Sequence, residues 1–207
     1  MTGFAVATED ALSEAVAEKL LQQAGSHSVV QRLRKSGFGY LKGRISDFNR
    51  MAAKVMPVLL LTDLDRLECA PELVTSWLPG GPDANLLFRV AIRETESWIL
   101  ADRSAFAEFL GVSIAKIPDR PDDLADPKRA LLDLVRKSRR RDLRADILPA
   151  PGISFPVGLG YNERLSGFVR VDWDCRRAAE SSPSLARAVR RVAGFDAMVP
   201  SRSPSAS

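Results

Sequence analysis

Pro57-Val58-Leu59-Leu60-Leu61-Thr62-Asp63-Leu64-Asp65-Arg66 is the stretch on which the reading of this chain turns. Its apolar residues are too few for a helix of ordinary length, and they have no polar alternation. That pattern suits a strand buried on both faces of a parallel sheet. It ends in Asp63-Leu64-Asp65, two carboxylates set where such a strand leaves the sheet. In a fully extended end the two side chains, two residues apart, would share one face. A turn beginning at Leu64 brings both toward one point.

Elements of alternating type lie on either side. Phe4 to Thr8 reads as a strand with Glu9-Asp10 at its end, and Ala11 to Gln23 as a helix, with Leu12, Ala15, Val16 and Leu20 at helical spacing. Gly25 sits where that helix would stop. Ser28 to Leu33 reads as a second strand, Gly37 to Gly43 as a glycine-punctuated loop, and Ser46 as the cap of a helix to about Lys54. Downstream, Ala70 to Trp77 reads as a helix, Asn85 to Ile92 as a fourth strand, and Ser97 to Asp102 as the start of another helix. Strands alternating with helices predict an α/β sandwich around a mostly parallel sheet over residues 1–105. From 106 to 198 the chain reads as a mainly helical, basic extension packed on that core. It is broken by Pro118, Pro121 and Pro127 and by a Pro- and Gly-rich loop from Pro149 to Gly160, with a last helix from Pro183 to Val192 capped by Ser182. Residues 199–207, rich in Ser and Pro, are expected to be disordered.

Composition excludes several classes. The 207 residues are 45% hydrophobic and 27% charged, which is ordinary for a folded domain. The longest apolar run, Met56 to Leu61, is far below the roughly 20 residues of a membrane span. The first residues lack the basic-then-apolar order of a signal peptide, so a cytoplasmic protein is expected. Cys69 and Cys175 have no metal spacing and read as reduced structural thiols. There is one histidine, His27, in a turn before a strand. Histidine-rich metal sites are therefore excluded, and any chemistry is expected to rest on carboxylates and hard cations. The net charge is +4, with bases concentrated between Lys128 and Arg144 and again from Arg164 to Arg191. An acidic centre with a basic flank suits a protein that grips a phosphate backbone. A solvated helix surface is the plain alternative for Arg139, Arg140 and Arg141.

The acids gather at predicted strand ends: Glu9 after the first strand, Asp63 and Asp65 after the third, Glu94 and Glu96 after the fourth. In an open α/β sheet the carboxyl ends of the strands form the ligand crevice. Carboxylates converging there repel one another unless cations neutralise them, and Mg²⁺ or Mn²⁺ takes oxygen ligands of this kind. Expected metal ligands are Glu9, Asp63, Asp65, Glu94 and Glu96. The opposite reading makes Glu9 and Glu94 solvated loop acids and Asp63 a cap.

Glu9 followed by a helix, together with Leu59-Leu60-Leu61-Thr62-Asp63-Leu64-Asp65, resembles the TOPRIM fold of topoisomerases, primases and overcoming-lysogenization-defect nucleases. Arg93-Glu94-Thr95-Glu96-Ser97-Trp98-Ile99-Leu100-Ala101-Asp102 is similar to the EaWllaD element of the TOPRIM-like domain of unknown function 4276 family. Asp126-Pro127-Lys128, Gly160-Tyr161-Asn162 and Ser182-Pro183 also resemble that group. The resemblance implies a TOPRIM-like core, Mg²⁺ or Mn²⁺, and nuclease activity on DNA or RNA. It makes Glu9, Asp63, Asp65 and Glu96 the catalytic acids. It also implies a setting in phage-defence or toxin modules with a separate ATPase partner, for this chain has no Walker A motif of its own. The family pattern has Gly after the first Glu, where this chain has Asp10. Tyr40 and Tyr161 read as loop aromatics, so nothing suggests a covalent topoisomerase.

The flanking residues each have two readings. Arg66 reaches a scissile phosphate or pairs with Glu68; Lys128 contacts a phosphate or opens a helix. Trp98 stacks on a base or belongs to the core, and Asp102 supports the site or is a helix acid. Nucleic-acid contacts are expected from Arg66, Lys128, Arg139, Arg140 and Arg141. Other classes remain. One is a non-catalytic nucleic-acid-binding or ATPase-regulating subunit. Another is a phosphotransferase of the haloacid dehalogenase type, against which Leu67 stands where Thr or Val is expected. A sugar-nucleotide transferase has only the Asp-x-Asp in its favour.

Overall fold

The computed structural model describes residues 1–34, 39–65, 67–152 and 154–196. Four strands form one parallel sheet: β1 (Gly3–Thr8), β2 (Ser28–Arg34), β3 (Val58–Asp63) and β4 (Leu86–Ala91), in the order β2-β1-β3-β4. Three helices connect them: α1 (Ala11–Gly25), α2 (Tyr40–Lys54) and α3 (Ala70–Trp77). After β4 come α4 (Thr95–Ala101), α5 (Arg103–Leu110), α6 (Pro127–Arg136), α7 (Arg141–Ile147), α8 (Tyr161–Val171), α9 (Cys175–Ala179) and α10 (Pro183–Ala193). Short 3₁₀ turns fall at Ile114–Lys116 and Pro121–Asp123. Among the described residues no helix is long and apolar enough to cross a membrane.

The central strands are apolar throughout because both faces are covered. Phe4, Val6, Leu59, Leu61 and Leu87 point to one side, with α1 and the helices that follow β4. Ala5, Ala7, Val58, Leu60 and Phe88 point to the other, against Leu41, Ile45 and Phe48 of α2 and Leu73 of α3. That is the period of two expected of a strand. Leu59 and Leu60 are fully buried, one on each side. Cutting either to Ala would cost about 2–5 kcal/mol.

The extension is the second cover of the sheet. Trp98, Phe106, Leu165, Phe168 and Leu185 share one apolar core with β1, β3 and α1. Trp173 Nε1 donates to the carbonyl oxygen of Trp98 (3.0 Å), and Trp98 Nε1 donates to Ser184 Oγ (2.7 Å). Trp98 is thus a core residue. Asp102, completely buried, caps α5 and forms a bidentate pair with Arg177 (2.5 and 2.6 Å), while accepting the Asp174 backbone N–H (2.8 Å). It staples the extension to α4 and does not reach the strand ends. The His27 ring packs against Phe4 (5.1 Å) and Phe195 (6.0 Å), a core placement.

Several boundaries move. The first helix runs to Gly25, and Ser26, in the left-handed region (φ 51°), closes it. Of the expected Gly37–Gly43 loop, residues 37 and 38 lie outside the described residues. Gly39 (φ 93°) precedes α2, which starts at Tyr40. Leu41, Ile45, Phe48 and Ala52 are its buried stripe at helical period, so Ser46 lies inside the helix on the exposed face and caps nothing. The tail from 197 lies outside the described residues.

Candidate functional site

Strand order places the acids. β1 continues through α1 to β2 on one side, and β3 through α3 to β4 on the other, so the connections leaving these adjacent strands diverge across opposite faces of the sheet. A crevice opens at such a point beyond the carboxyl ends. The turns holding Glu9 and Asp63-Leu64-Asp65 flank it. A cleft of about 850 Å³ lies there, lined by Glu9, Asp63, Asp65, Arg93, Glu94 and Asp126 among others. Lys42 and Trp77 line its α2–α3 side, Trp77 tilted against Phe88 (5.4 Å).

Each acid is held differently. Glu9 Oε1 accepts the Thr62 hydroxyl (2.9 Å). Asp63 Oδ1 accepts both the backbone N–H (2.8 Å) and the hydroxyl (2.7 Å) of Thr95. Leu64 is buried, and Asp65 turns outward in the left-handed region (φ 53°), which sets both aspartates on the same cleft. Glu94 Oε2 accepts the backbone N–H of Lys128 (2.8 Å), at the positive end of α6. Asp10 caps α1: it accepts from Ser13 N (2.8 Å) and Ser13 Oγ (2.7 Å) in a capping box.

Glu96 departs from the strand-end expectation. It is the second residue of α4, and helical rotation turns it away from Glu94 into the protein, where it is 3% exposed. Tyr161 donates its hydroxyl to Glu96 Oε1 (2.5 Å), and Lys128 Nζ lies 3.4 Å from the same oxygen and 4.0 Å from Glu94. Tyr161 is therefore no loop aromatic: it opens α8 and is buried against the acids. Lys128 does open a helix, and its ammonium is engaged with carboxylates.

Electrostatics follow from this burial. Burial raises the Asp63 carboxyl well above the usual range, Glu96, Asp10 and Asp65 add to it by repulsion, and the Thr95 bond opposes it. Glu9 is raised by burial and by Asp65 and Asp10, against the Thr62 bond. Glu94 is raised by burial and by Glu96, against the Lys128 contacts. Glu9 and Glu94 are thus not solvated loop acids. Burial pulls Lys128 down, but Glu96, Glu94 and Asp63 outweigh it and hold the ammonium above its usual range.

The donor set is carboxylate oxygen short of positive charge, the chemistry that suits a hard divalent cation. Among the described residues no three acids, cysteines or His27 converge on one cation-sized point. The arginines expected to bind nucleic acid lie elsewhere. Arg140 pairs with Asp142 (3.2 Å) and sits over Phe109 (6.0 Å), beside a hollow lined by Glu108, Asp172 and Arg177. Arg139 and Arg141 are exposed next to it. Arg66 lies outside the described residues. Arg93, Thr62, Thr95 and Tyr161 were not anticipated. Thr62 and Thr95 stand next to acids in sequence, a signal available in principle, whereas Tyr161 is 65 residues from its partner.

The fold is of the α/β class with a parallel central sheet. No family model, curated protein or solved structure matches the chain.

Proposed function

We propose that this protein is a Mg²⁺- or Mn²⁺-dependent phosphodiesterase acting on DNA or RNA. The observation that carries the reading is the gathering of Glu9, Asp63, Asp65 and Glu94 in one cleft at the sheet's switch point, with Glu9, Asp63 and Glu94 raised first by burial and then by neighbouring carboxylates. Acids following β1 and β3 fit the arrangement that a TOPRIM-like core implies. A neighbouring hollow of about 420 Å³ shares Asp126 with the cleft and is lined by Lys128, Arg129 and Arg136; Lys128 is held by Glu94 and Glu96 and Arg136 by Asp133, which leaves Arg129 to face a polyanionic substrate.

Glu9, Asp63 and Asp65 line the cleft without meeting at one point, so they would have to draw together to hold the cation, with Glu94 beside them. When bound, it supplies polarisation of a phosphoryl oxygen and a nucleophilic water at neutral pH. Thr62 and Thr95 fix one oxygen of Glu9 and one of Asp63, which orients these carboxylates before substrate arrives. Glu96 acts at one remove: with Tyr161 it holds the Lys128 ammonium beside Glu94.

A second reading, a non-catalytic nucleic-acid-binding or ATPase-partner subunit, is favoured by the same ammonium, which already places a positive charge among the acids. Purified protein incubated with plasmid, single-stranded DNA and RNA in Mn²⁺, Mg²⁺ or EDTA decides between them. Metal-dependent cutting that disappears in Asp63→Ala/Asp65→Ala supports hydrolysis; equal binding by both proteins without cutting supports the subunit.

A further inference from the structure

A second charged feature lies on the sheet's free edge. Alternation puts Leu87, Arg89 and Ala91 of β4 on one face. Leu87 and Ala91 enter the core with Leu185, Ala188 and Val192 of α10. Arg89 therefore lies half-buried between strand and helix, and its Nε, shut off from water, makes no hydrogen bond. Arg187 and Arg191, one turn apart on α10, flank it. Arg191 Nη2 donates to the Ala84 carbonyl oxygen (3.3 Å), which fixes it at the foot of β4. Burial and then the charges of Arg191 and Arg187 pull the Arg89 guanidinium below the usual arginine range.

A guanidinium held among like charges and away from water is costly unless an anion joins it. None of Arg89, Arg187 and Arg191 has a carboxylate within ion-pair distance among the described residues. Arg32, Arg44, Arg50, Arg164 and Arg177 each have one. The three cations gather between α10 and β4, whose carboxyl end leads to Arg93 and Glu94 at the cleft. A single phosphate would satisfy one or two of the three; successive phosphates of one strand would satisfy all of them.

We propose that Arg89, Arg187 and Arg191 form a phosphate-binding strip that carries the backbone of a nucleic-acid strand along β4 to the acid-lined cleft. The identity of the ligand rests on the phosphodiesterase reading; the anion site itself does not.

The test is anisotropy of a short fluorescein-labelled single-stranded DNA in EDTA, titrated at several salt concentrations. Arg187→Gln/Arg191→Gln should bind about 10-fold or more weakly, with a log–log salt slope smaller by about 1.4, at about 0.7 per lost phosphate contact on a single strand. Arg89→Gln should weaken binding in the same direction. Arg44→Gln/Arg50→Gln, which removes the same charge from α2 across the sheet, should lose about 2-fold or less. An equal loss in both double variants reduces the effect to net charge and overturns the proposal, as does no loss in the strip variants. Thermal shift with inorganic pyrophosphate forms the second arm. If pyrophosphate stabilises the wild type and not Arg89→Gln, while DNA binding is unaffected by any variant, the site takes a small phosphate and the strand reading falls. Cutting is not needed for this readout. Strip-dependent binding by a protein that never cuts would leave the strip standing and remove the hydrolytic reading alone.

Discussion

Asp65 and Arg93 hold each other in left-handed backbone, at φ 53° and 62°: the Asp65 N–H donates to the Arg93 carbonyl oxygen (2.8 Å), and Arg93 Nη1 donates back to that of Asp65 (3.1 Å). Arg93 is of a type that rarely adopts this conformation, which costs about 1–2 kcal/mol, while Asp65 bears it at less cost. The paired bonds carry that strain at the mouth of the cleft. Asp65→Gly should hold or raise the unfolding midpoint, since glycine is at ease there. The same variant should lose metal-dependent cutting by about 100-fold or more, as expected when a metal ligand is removed. A drop in stability with cutting intact would make Asp65 a structural turn residue.

Asp63 sits in an environment that penalises its charge. Asp63→Asn keeps an acceptor for Thr95 and removes the repulsion. Its unfolding midpoint should rise, by about 2–4 °C for each kcal/mol relieved in a chain of this size, while cutting is lost. Differential scanning calorimetry of the two proteins in EDTA checks it; a lower midpoint in the variant contradicts the electrostatic account.

The pH dependence has a definite sign. Glu9, Asp63 and Glu94 are raised above ordinary values of 4.5, 3.8 and 4.5, so in that window the folded protein binds more protons than the unfolded chain. Their contribution to stability is greatest below the ordinary values and is lost as pH rises through the raised ones. Urea unfolding from acidic to neutral pH in EDTA should show this decline, and Asp63→Asn should flatten it. Mg²⁺ at neutral pH should recover stability by binding the folded form alone. A midpoint indifferent to Mg²⁺ in the wild type would count against a cation site.

Lys128 bridges two halves of the chain. Lys128→Met leaves Glu94 and Glu96 without its ammonium and should cost about 1–3 kcal/mol, less than a fully buried pair because the lysine side chain is 39% exposed. Adding Glu96→Gln should restore part of the loss, since the uncompensated charge is then gone. Additive losses in the double-mutant cycle would show that the two do not interact.

Asp102 separates stability from chemistry. Asp102→Ala leaves the Asp174 backbone N–H and the α5 cap without their acceptor and frees Arg177, whose side chain is 46% exposed and can turn to solvent, so it should cost about 1–3 kcal/mol. At a temperature where the variant remains folded, its cutting rate should match the wild type, because Asp102 does not line the cleft.

What the sequence made legible was local. The apolar run before Asp63 defined β3 to within a residue, and Ala70–Trp77 emerged as written, because Pro71 marks a first turn and Pro79 follows the end. The start of α2 was obscured by Gly39 and Gly43, which suggest a loop, while the stripe from Leu41 to Ala52 decided for a helix. Glu9, Asp63, Asp65 and Glu94 were readable as cleft residues because strand ends converge in any parallel sheet. Glu96 was displaced because one helical step past Thr95 faces α6 and α8, whose positions no local pattern encodes. Tyr161 and Lys128 reach the acids only through packing of the extension on α4 and α1.

The three tryptophans divide along the same lines. Trp98 and Trp173 are dry and bonded to each other across the seam between α4 and the last helices, while Trp77 is half-buried on the cleft wall. The chain thus carries two blue-emitting indoles that register loss of the seam, and one solvent-touched indole that registers what enters the cleft. Unfolding and occupancy are separable in a single emission spectrum without any added dye.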